Sequence, residues 1–348
     1  MAKVSVIIPN YNHAPFLTQR IESVLNQSVK DIEVIILDDC SQDNSREIIS
    51  KYAESDSRIR THFNEQNSGS TFVQWNKGVD LATGDFIWIA ESDDFADSSL
   101  LENLLPILEG DTEVVLAYAQ TVIVDEAGVR MRSYQEDYNF LFKDSCDLWK
   151  DDFIRDGHRI ASDLLLFHNI IPNASAALIR KSTYLEVGGA EPGWKLNGDW
   201  MFYAKLLLKG KLAYKNIELN YFRTHPVTQR HTANLTPKVY DEILLIFKFI
   251  ARNGSPQFSK LWKAHRIVAG WWSGSLFRQK WNWTNTKHNF RLFFEFLRWK
   301  PWLPLSLILT LFFHILSNFT TWLGIKGKLR KWINRVFPGL LFDPDKKA

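Results

Sequence analysis

The first 125 residues alternate short apolar runs with longer stretches in which apolar residues recur every three or four positions. The apolar runs cover residues 4–9, 33–37, 59–63 and 86–90, and each has the length of a buried strand. The stretches between them, among them 45–53 and 72–82, have the spacing of amphipathic helices. Strands that alternate with helices predict an α/β fold with a doubly wound, mostly parallel sheet flanked by helices.

Polar residues follow three of these four predicted strands. They are Asn10, Tyr11 and Asn12 after the first strand, Asp38 and Asp39 after the second, and Glu91, Ser92, Asp93 and Asp94 after the fourth. Because parallel strands end at the same edge of a sheet and ligands bind there, we expect one polar rim that forms the candidate site. Asn and Asp are also common in turns, so a purely structural interpretation stays open for any single cluster.

Residues 126–240 show a mixed pattern, with a strand predicted at 174–179 and short helices at 181–187 and 200–208. The last of these helices directly follows Asp199, which makes Asp199 a candidate N-cap. We expect one domain over residues 1–240, with halves at 1–125 and 126–240. A mainly helical, basic and aromatic region is expected over residues 241–348.

The C-terminal third differs from the rest of the chain in charge and aromatic content. The 348 residues carry a formal net charge of +3, yet residues 248–335 hold sixteen Lys or Arg and a single acid, Glu295. Nine of the fourteen Trp residues also lie in this third. Basic residues interleaved with Trp suit either nucleic acid or an anionic membrane surface. Because no nucleic-acid-binding motif accompanies the charge, we favour the membrane and expect no nucleic-acid partner.

Residues 301–325 form a run of twenty-five residues without a formal charge if His314 is neutral, which is long enough to cross a bilayer. Lys and Arg flank both ends of the run, whereas a spanning helix carries its basic excess on one side. We therefore favour a helix that lies in the membrane interface. A transmembrane helix and an oligomer interface or buried helix are the alternatives.

Two further features bear on the compartment. Cys40 and Cys146 are the only cysteines, and they match no paired spacing of a zinc site or disulfide framework, which favours a reducing compartment. The N-terminal residues show none of the charged, apolar and small-residue segments of a secretory signal. We therefore expect a cytoplasmic protein held peripherally on the cytoplasmic face of the cell membrane.

The loop after the first predicted strand, residues 9–13, contains no glycine. This disfavours dinucleotide dehydrogenases, P-loop enzymes and sugar nucleotidyltransferases, because their phosphate sites have a glycine-rich first loop. A nucleoside diphosphate bound here needs another positive group, and a divalent cation held by carboxylates would supply it. Asp93 and Asp94 offer the oxygen ligands that Mg²⁺ or Mn²⁺ prefers, and a cation would offset their mutual repulsion. Asp94 is alternatively a cap for the helix that begins near Leu100.

Several motifs occur in the order and spacing of one known family. The first half contains VSVIIPNYN at 4–12, SVLNQS at 23–28, LDDCSQDNS at 37–45, NSG at 67–69, WNKG at 75–78, TGDFI at 83–87 and ESDD at 91–94. The second half contains LIRK at 178–181, VGG at 187–189, NGDW at 197–200 and YFRTHPVTQRH at 221–231. Over about residues 3–231 the chain resembles family 2 glycosyltransferases.

The resemblance implies a GT-A fold and transfer of a sugar from a nucleotide sugar with inversion at the anomeric carbon. It places Pro9, Tyr11 and Asp39 at the base and ribose, and Asp93 and Asp94 at the metal and diphosphate. It also implies that Asp199 is the general base, which takes the proton of the acceptor hydroxyl on the face opposite the leaving group. Further residues that the resemblance assigns to the nucleotide sugar are Asn76, Trp200, Arg230 and His231.

Two positions depart from the family pattern. Glu91 stands where the family often has Asp, and its longer side chain leads us to leave it out of the metal site. Gly198 replaces the first of two consecutive acids, so Asp199 is the candidate base that remains.

The resemblance and the composition together predict the partners of the chain. They are a UDP- or dTDP-linked sugar, Mg²⁺ or Mn²⁺, a lipid-linked or surface-polysaccharide acceptor, a membrane surface and a further copy of the chain. Uridine and thymidine both fit because their bases expose the same imide edge. The alternative function is an inactive transferase-like module that binds glycan or scaffolds a biosynthetic complex, and the retained Asp39, Asp93, Asp94 and Asp199 argue against it.

Overall fold

The computed structural model describes residues 3–142, 146–194, 196–224, 237–276 and 282–299, together with residues 308, 312 and 315. The chain divides into two compact units. The first unit comprises residues 1–226 with 253–255, and the second comprises residues 227–252 with 256–348. The domain boundary at residue 240 stays a prediction.

The first half of the first unit alternates strands and helices in the predicted order. Its elements are β1 (Val4–Asn10), α1 (Ala14–Leu25), β2 (Ile32–Asp38), α2 (Ser45–Ser55), β3 (Ile59–Phe63), α3 (Thr71–Leu81) and β4 (Phe86–Ile89). Each strand begins and ends within one residue of its predicted range, because an uninterrupted apolar run marks both limits.

The second half of the first unit has shorter and more varied elements. They are β5 (Phe95–Ala96), α4 (Leu100–Gly110), β6 (Val114–Val124), β7 (Arg130–Ser133), α5 (Tyr134–Leu141), β8 (Phe153–Asp156), α6 (Gly157–Ile160), β9 (Ala177–Arg180), α7 (Lys181–Glu186), α8 (Gly198–Leu207) and β10 (Lys211–Arg223). Single turns of other helix types lie at Cys146–Lys150, Ala161–Leu165 and Ala174–Ala176. The strand predicted at 174–179 therefore starts at Ala177, since the small residues before it form a turn.

Ten strands form one mixed sheet in the order β3-β2-β1-β4-β9-β6-β10-β5, with β7 beside β6 and β8 beside β10. Pairing is parallel from β3 through β2 and β1 to β4. Beyond β4 the sheet is mixed, because β9 runs antiparallel to both β4 and β6. The predicted α/β class with flanking helices is confirmed, and the predicted parallel order holds in the first half of the sheet.

The core of the first unit lies on both faces of β1 and β2, which are buried along their whole length. Parallel strands covered on both faces are expected to be buried in this way. The apolar face of α1, with Leu17, Ile21 and Val24, packs into the same cluster as Leu104 of α4. This packing fixes the carboxyl ends of β1, β2 and β4 at one edge of the sheet.

The second unit is helical where the structure describes it, as predicted for the C-terminal region. Its helices are α9 (Lys238–Asn253), α10 (Phe258–Ser275) and α11 (Trp283–Trp299). Among the helices of the described ranges, none combines the length and apolarity needed to cross a bilayer. Most of the run 301–325 lies outside the described residues, so its placement in the membrane interface stays a prediction.

Glu33 links three elements at the edge of the sheet opposite the polar rim. Its carboxylate accepts hydrogen bonds from Ser5 Oγ (2.6 Å), from Thr83 N (2.6 Å) and Oγ1 (2.7 Å), and from Arg60 Nη1 (2.9 Å). Burial alone would raise the pKa of Glu33, but these donors and the charge of Arg60 outweigh it, so the pKa is lowered.

Glu33→Gln is expected to lower the free energy of unfolding by about 1–3 kcal/mol at neutral pH, because the lost charge weakens several buried hydrogen bonds. A lowered folded pKa contributes stability above the unfolded pKa, and this stability is lost as pH falls through the folded value. The difference in free energy of unfolding between the wild type and the variant should therefore become smaller at acidic pH. Urea unfolding at neutral and acidic pH tests this, with Glu109→Gln of the exposed pair with Lys3 as a control that changes little. A deficit that grows in acid would contradict the assignment.

Candidate functional site

The loops after β1 and β2 are joined by side-chain hydrogen bonds at the sheet edge. Asn10 Nδ2 donates to Asp38 Oδ2 (2.9 Å) and to Ser41 Oγ (3.1 Å). Pro9 is buried within β1 opposite Leu37, while Tyr11 projects beyond the strand with 45% of its surface exposed. Of the predicted base and ribose residues in this loop, Tyr11 is thus the one with a ring open to solvent.

Asp39 is buried at the end of β2, and its carboxylate is enclosed by donors from the next crossover. Asn64 Nδ2 (2.7 Å), Ser68 N (2.9 Å) and Oγ (2.8 Å), and Gln74 Nε2 (2.9 Å) all donate to it. A carboxylate has about four acceptor positions, so these donors nearly saturate it. The orientation of the Asp39 carboxylate is therefore fixed by the protein itself.

The acidic loop, residues 91–94, follows β4 and lies beside the β1 loop. Ser92 Oγ contacts His13 Nδ1 at 2.8 Å, and Glu91 Oε1 accepts a hydrogen bond from Trp75 Nε1 at 2.8 Å. Burial and the charge of Asp93 raise the pKa of Glu91 to about 8, against the lowering effect of the Trp75 hydrogen bond. The first two residues of the loop are thus held by α3 and by the β1 loop.

Asp94 points into the protein, whereas Asp93 lies at the partly exposed rim. Asp94 Oδ2 accepts from Asn173 Nδ2 (2.5 Å) and Ser175 Oγ (2.7 Å), and Oδ1 accepts from Arg223 N (2.9 Å). Burial and the charge of Asp93 raise the pKa of Asp94 to about 7. Both oxygens of Asp94 are therefore engaged by protein donors, and the neighbouring Asp93 is the more exposed of the two residues.

Arg20 is a fully buried cation beneath the acidic loop. Its Nε donates to the carbonyl oxygen of Glu91 (2.8 Å) and its Nη2 to Ser175 Oγ (3.0 Å), and Nη2 lies 4.0 Å from Asp94 Oδ2. Burial lowers the pKa of Arg20 to about 10, and the charge of Asp94 opposes this shift. The guanidinium remains protonated at neutral pH and offsets part of the negative charge of the loop.

Arg223, the last residue of β10, approaches the acidic loop from the other side. Its Nε donates to the carbonyl oxygen of Asp93 (2.8 Å), Nη1 to that of Glu126 (2.6 Å) and Nη2 to Gln19 Oε1 (2.6 Å). The guanidinium also lies over the ring of Phe16, 4.8 Å from its centroid. Arg223 thereby joins the acidic loop to α1 and to the loop after β6.

Neither Arg20 nor Arg223 is among the site residues predicted from the sequence. A signal for Arg20 was available, because it lies on the apolar face of α1 beside Leu17, Ile21 and Val24, where a cation needs buried partners. Arg223 lies in the segment YFRTHPVTQRH, but its contacts come from residues far away in the sequence. Local pattern alone could not assign its role.

Asp199 is the second residue of α8, and its carboxylate is half-buried. Oδ2 accepts from Asn169 Nδ2 (3.1 Å), and Oδ1 accepts from the backbone N–H of Trp200 (2.8 Å). The N-cap prediction for Asp199 is wrong, because α8 begins at Gly198 and its cap position is Asn197. Asp199 lies inside the first turn, where its Oδ1 satisfies the backbone N–H of the next residue. Asp199 thus combines a structural contact with a carboxylate that stays partly accessible.

Trp75 connects the acidic loop to the helix that carries Asp199. Besides its hydrogen bond to Glu91, the indole ring packs edge-on against Phe202 of α8, with centroids 6.3 Å apart. Burial raises the pKa of Tyr203, one turn after Asp199, and the charges of Asp199 and Glu91 raise it further. Through Trp75, Glu91 and the helix that carries Asp199 contact the same side chain.

Two other predicted residues have their polar atoms bound within the protein. Asn76 Nδ2 donates to the carbonyl oxygen of Ala190 (2.7 Å), and its Oδ1 accepts from Tyr184 Oη (2.7 Å). Trp200 is buried, and its Nε1 donates to the carbonyl oxygen of Leu165 (2.8 Å). Asn76 thus holds the loop that precedes α8, and Trp200 anchors α8 itself. The other two predicted residues, Arg230 and His231, lie outside the described residues.

Across the ranges that the structure describes, no three His, Cys, Asp or Glu side chains converge as a metal site would require. A Mg²⁺ or Mn²⁺ ion that meets one or two carboxylates, waters and substrate phosphates does not need such a group. The donor set at the rim, a partly exposed Asp93 beside an enclosed Asp94, fits this second arrangement.

The fold is similar to those of solved glycosyltransferases. S. aureus TarS, solved with UDP-GlcNAc, is 19% identical with a TM-score of 0.57, over 79% of this chain and 72% of that chain. A mannosyltransferase from Pyrobaculum calidifontis, solved with GDP-Man and Mn²⁺, is 15% identical with a TM-score of 0.56, over 79% of this chain and 73% of that chain. At these identities the likeness shows a shared GT-A fold.

Curated relatives match parts of the chain. The glycosyltransferase GlyG of Streptococcus pneumoniae is 35% identical over 114 residues, which are 32% of this chain and 38% of GlyG. The GalNAc(5)-diNAcBac-PP-undecaprenol beta-1,3-glucosyltransferase of Campylobacter jejuni is 33% identical over 105 residues, 30% of this chain and 34% of the relative. The chain thus spans little more than a third of the length of these relatives. The model of glycosyl transferase family 2 matches residues 5–182, just over half of the chain, and the chain therefore belongs to this family.

Proposed function

We propose that the protein is an inverting glycosyltransferase that moves a sugar from a nucleoside diphosphate sugar to a hydroxyl group of a glycan acceptor. The observation that carries the proposal is the double contact of Trp75, which bonds to Glu91 of the acidic loop and packs on the helix of Asp199. This contact supports the proposal because Glu91 and the helix of Asp199 both touch Trp75. In direct displacement the base and the leaving group act on opposite sides of one sugar carbon.

The nucleoside would lie between the loops after β1 and β2. Tyr11 offers an exposed ring, and Asp39 offers a carboxylate for the imide N–H of uracil or thymine. Because four donors already surround this carboxylate, the base must displace one of them to bond to it. UDP- and dTDP-linked sugars are therefore the proposed donors, and TarS, which shares the fold, was solved with UDP-GlcNAc.

Asp93 is the proposed direct ligand of Mg²⁺ or Mn²⁺, and Asp94 is the residue that holds the loop from inside. The cation supplies charge stabilisation for the departing diphosphate. Asp94 would have to give up hydrogen bonds from Asn173, Ser175 or Arg223 to reach a metal, and each such loss is costly in a buried site. Asp93 and Asp94, both predicted as metal ligands from the sequence, thus have different proposed roles.

Binding of UDP is expected to raise the melting temperature in the presence of Mn²⁺, and Asp93→Asn is expected to remove the part of the shift that depends on the metal. A thermal-shift titration of UDP with Mn²⁺ and with EDTA measures both effects. The control is Asp85→Asn, an exposed acid just before the opposite end of β4, which should behave as the wild type. Equal shifts with EDTA, or an unchanged Asp93→Asn variant, would argue against metal-assisted binding.

The proposed acceptor is a lipid-linked glycan or surface polysaccharide, and the proposed location is the cytoplasmic face of the membrane. Support comes from the basic, Trp-rich C-terminal third and from the Campylobacter jejuni relative, whose name specifies a polyprenyl-linked acceptor. Inversion is tested by NMR assignment of the anomeric configuration in the product. Retention of the donor configuration would exclude the single-displacement mechanism and with it the role of Asp199.

A further inference from the structure

Helix α11 exposes large aromatic side chains on one face. Trp283, Phe290 and Phe294 are 82%, 62% and 54% exposed, and their spacing of seven and four residues aligns them along one stripe. The opposite face is apolar as well, because Leu292 and Phe296 are buried, with Phe296 against Trp272. A helix with only one face in the core would normally show polar residues on the other.

A second exposed apolar stripe follows within residues 301–325. Ile308, Phe312 and Ile315 are helical, and each is more than half exposed. Their spacing of four and three residues places them on one side of a helix. The stripe therefore repeats the arrangement found in α11, in the run that the sequence predicts to be interfacial.

Basic residues accompany the aromatic stripe of α11. Lys287 is exposed one turn after Trp283, and Arg291 is exposed on the flank of the stripe, where it also bonds to Asp241. The surrounding sequence, residues 248–335, holds sixteen Lys or Arg against Glu295. An apolar helix face flanked by positive charge is complementary to a lipid bilayer, which has an apolar interior and anionic headgroups.

We propose that Trp283, Phe290 and Phe294, with Lys287 beside them, insert into the headgroup region of an anionic phospholipid bilayer. The inference rests on the membrane location in the proposed function and assigns it to a defined face of α11. A second copy of the chain is a poorer occupant, because a two-fold interface would bring the same cations together. A bilayer instead pairs those cations with lipid phosphates, and Trp is favoured at that depth.

Vesicle flotation of the full-length chain tests this surface. The vesicles are phosphatidylcholine, with or without about 30 mol% phosphatidylglycerol. We expect the wild type to float with the anionic vesicles, and the combined change Trp283→Ser, Phe290→Ser and Phe294→Ser to lower the partition coefficient at least about tenfold. The matched control is Leu245→Ser with Phe258→Ser, two exposed apolar residues of α9 and α10, which should bind as the wild type does.

Several results would overturn the assignment. One is a wild-type protein that does not float with anionic vesicles, and another is a triple variant that binds the vesicles as well as the wild type does. A third is a triple variant that loses only self-association in light scattering, which would identify a second copy of the chain as the occupant. Trp283→Ser alone and Lys287→Glu repeat the test at two exposed positions, so that misfolding of the triple variant does not decide it. The UDP and Mn²⁺ thermal shift, measured on the same samples, reports the donor site separately. Flotation with anionic vesicles without a thermal shift by UDP and Mn²⁺ would refute the proposed function but would still support membrane binding through this face of α11.

Discussion

Asp199→Asn is expected to abolish sugar transfer while binding of UDP and Mn²⁺ stays close to that of the wild type. An amide cannot take the acceptor proton, and loss of a general base typically costs about 10²–10⁴-fold in rate. Asn can still accept the backbone N–H of Trp200 at the start of α8, so the helix and the fold should persist. The measurement is turnover of the nucleotide sugar beside a UDP titration on the same preparation.

The matched control for this change is Glu186→Gln. Glu186 ends α7 and forms an exposed pair with Lys209, which contributes little to stability. The control should keep both turnover and nucleotide binding. If Asp199→Asn kept its turnover too, Asp199 would serve only through its contacts with Asn169 and Trp200, and the base would have to be sought elsewhere.

The first half of the fold could be predicted from sequence because its signals are local. The apolar runs of β1 to β4 predict where each strand begins and ends, and the helices that connect the strands favour parallel pairing. The position of β9 between β4 and β6 carries no local signal. It depends on contacts between residues far apart in the chain, such as Ile179 with Ile87 and Leu116.

The candidate site shows the same division. The rim was predictable because Asn10, Asp39 and the acidic loop each follow an apolar run. The burial of Asp94 and the partial exposure of Asp93 were not, since composition does not tell which of two adjacent acids in a turn lies inside. The saturation of Asp39 and Asp94 by donors from distant segments became visible only with the fold.

Arg20→Met is expected to lower the free energy of unfolding by about 3–5 kcal/mol, because it leaves the enclosed Asp94 without its buried cation. The carbonyl oxygen of Glu91 and the hydroxyl of Ser175 would lose donors in the same step. Met keeps a long apolar stem on the face of α1, so the change removes charge more than volume. The melting temperature should fall by about 6–15 °C.

Arg58→Met is the matched control, because Arg58 is partly exposed and pairs with Asp56 only two residues away. It should cost less than about 1 kcal/mol. If Arg20→Met were as mild as this control, Arg20 would not compensate the acidic loop.

A double-mutant cycle with Asp94→Asn separates charge compensation from packing. If Arg20 stabilises the loop by offsetting Asp94, the double variant should be more stable than the sum of the single changes predicts, by about 1 kcal/mol or more. An additive result would mean that Arg20 acts through its hydrogen bonds to Glu91 and Ser175 alone. In the first case Arg20 offsets the charge of Asp94 before any metal binds, so the proposed cation at Asp93 would not have to compensate the buried carboxylate as well.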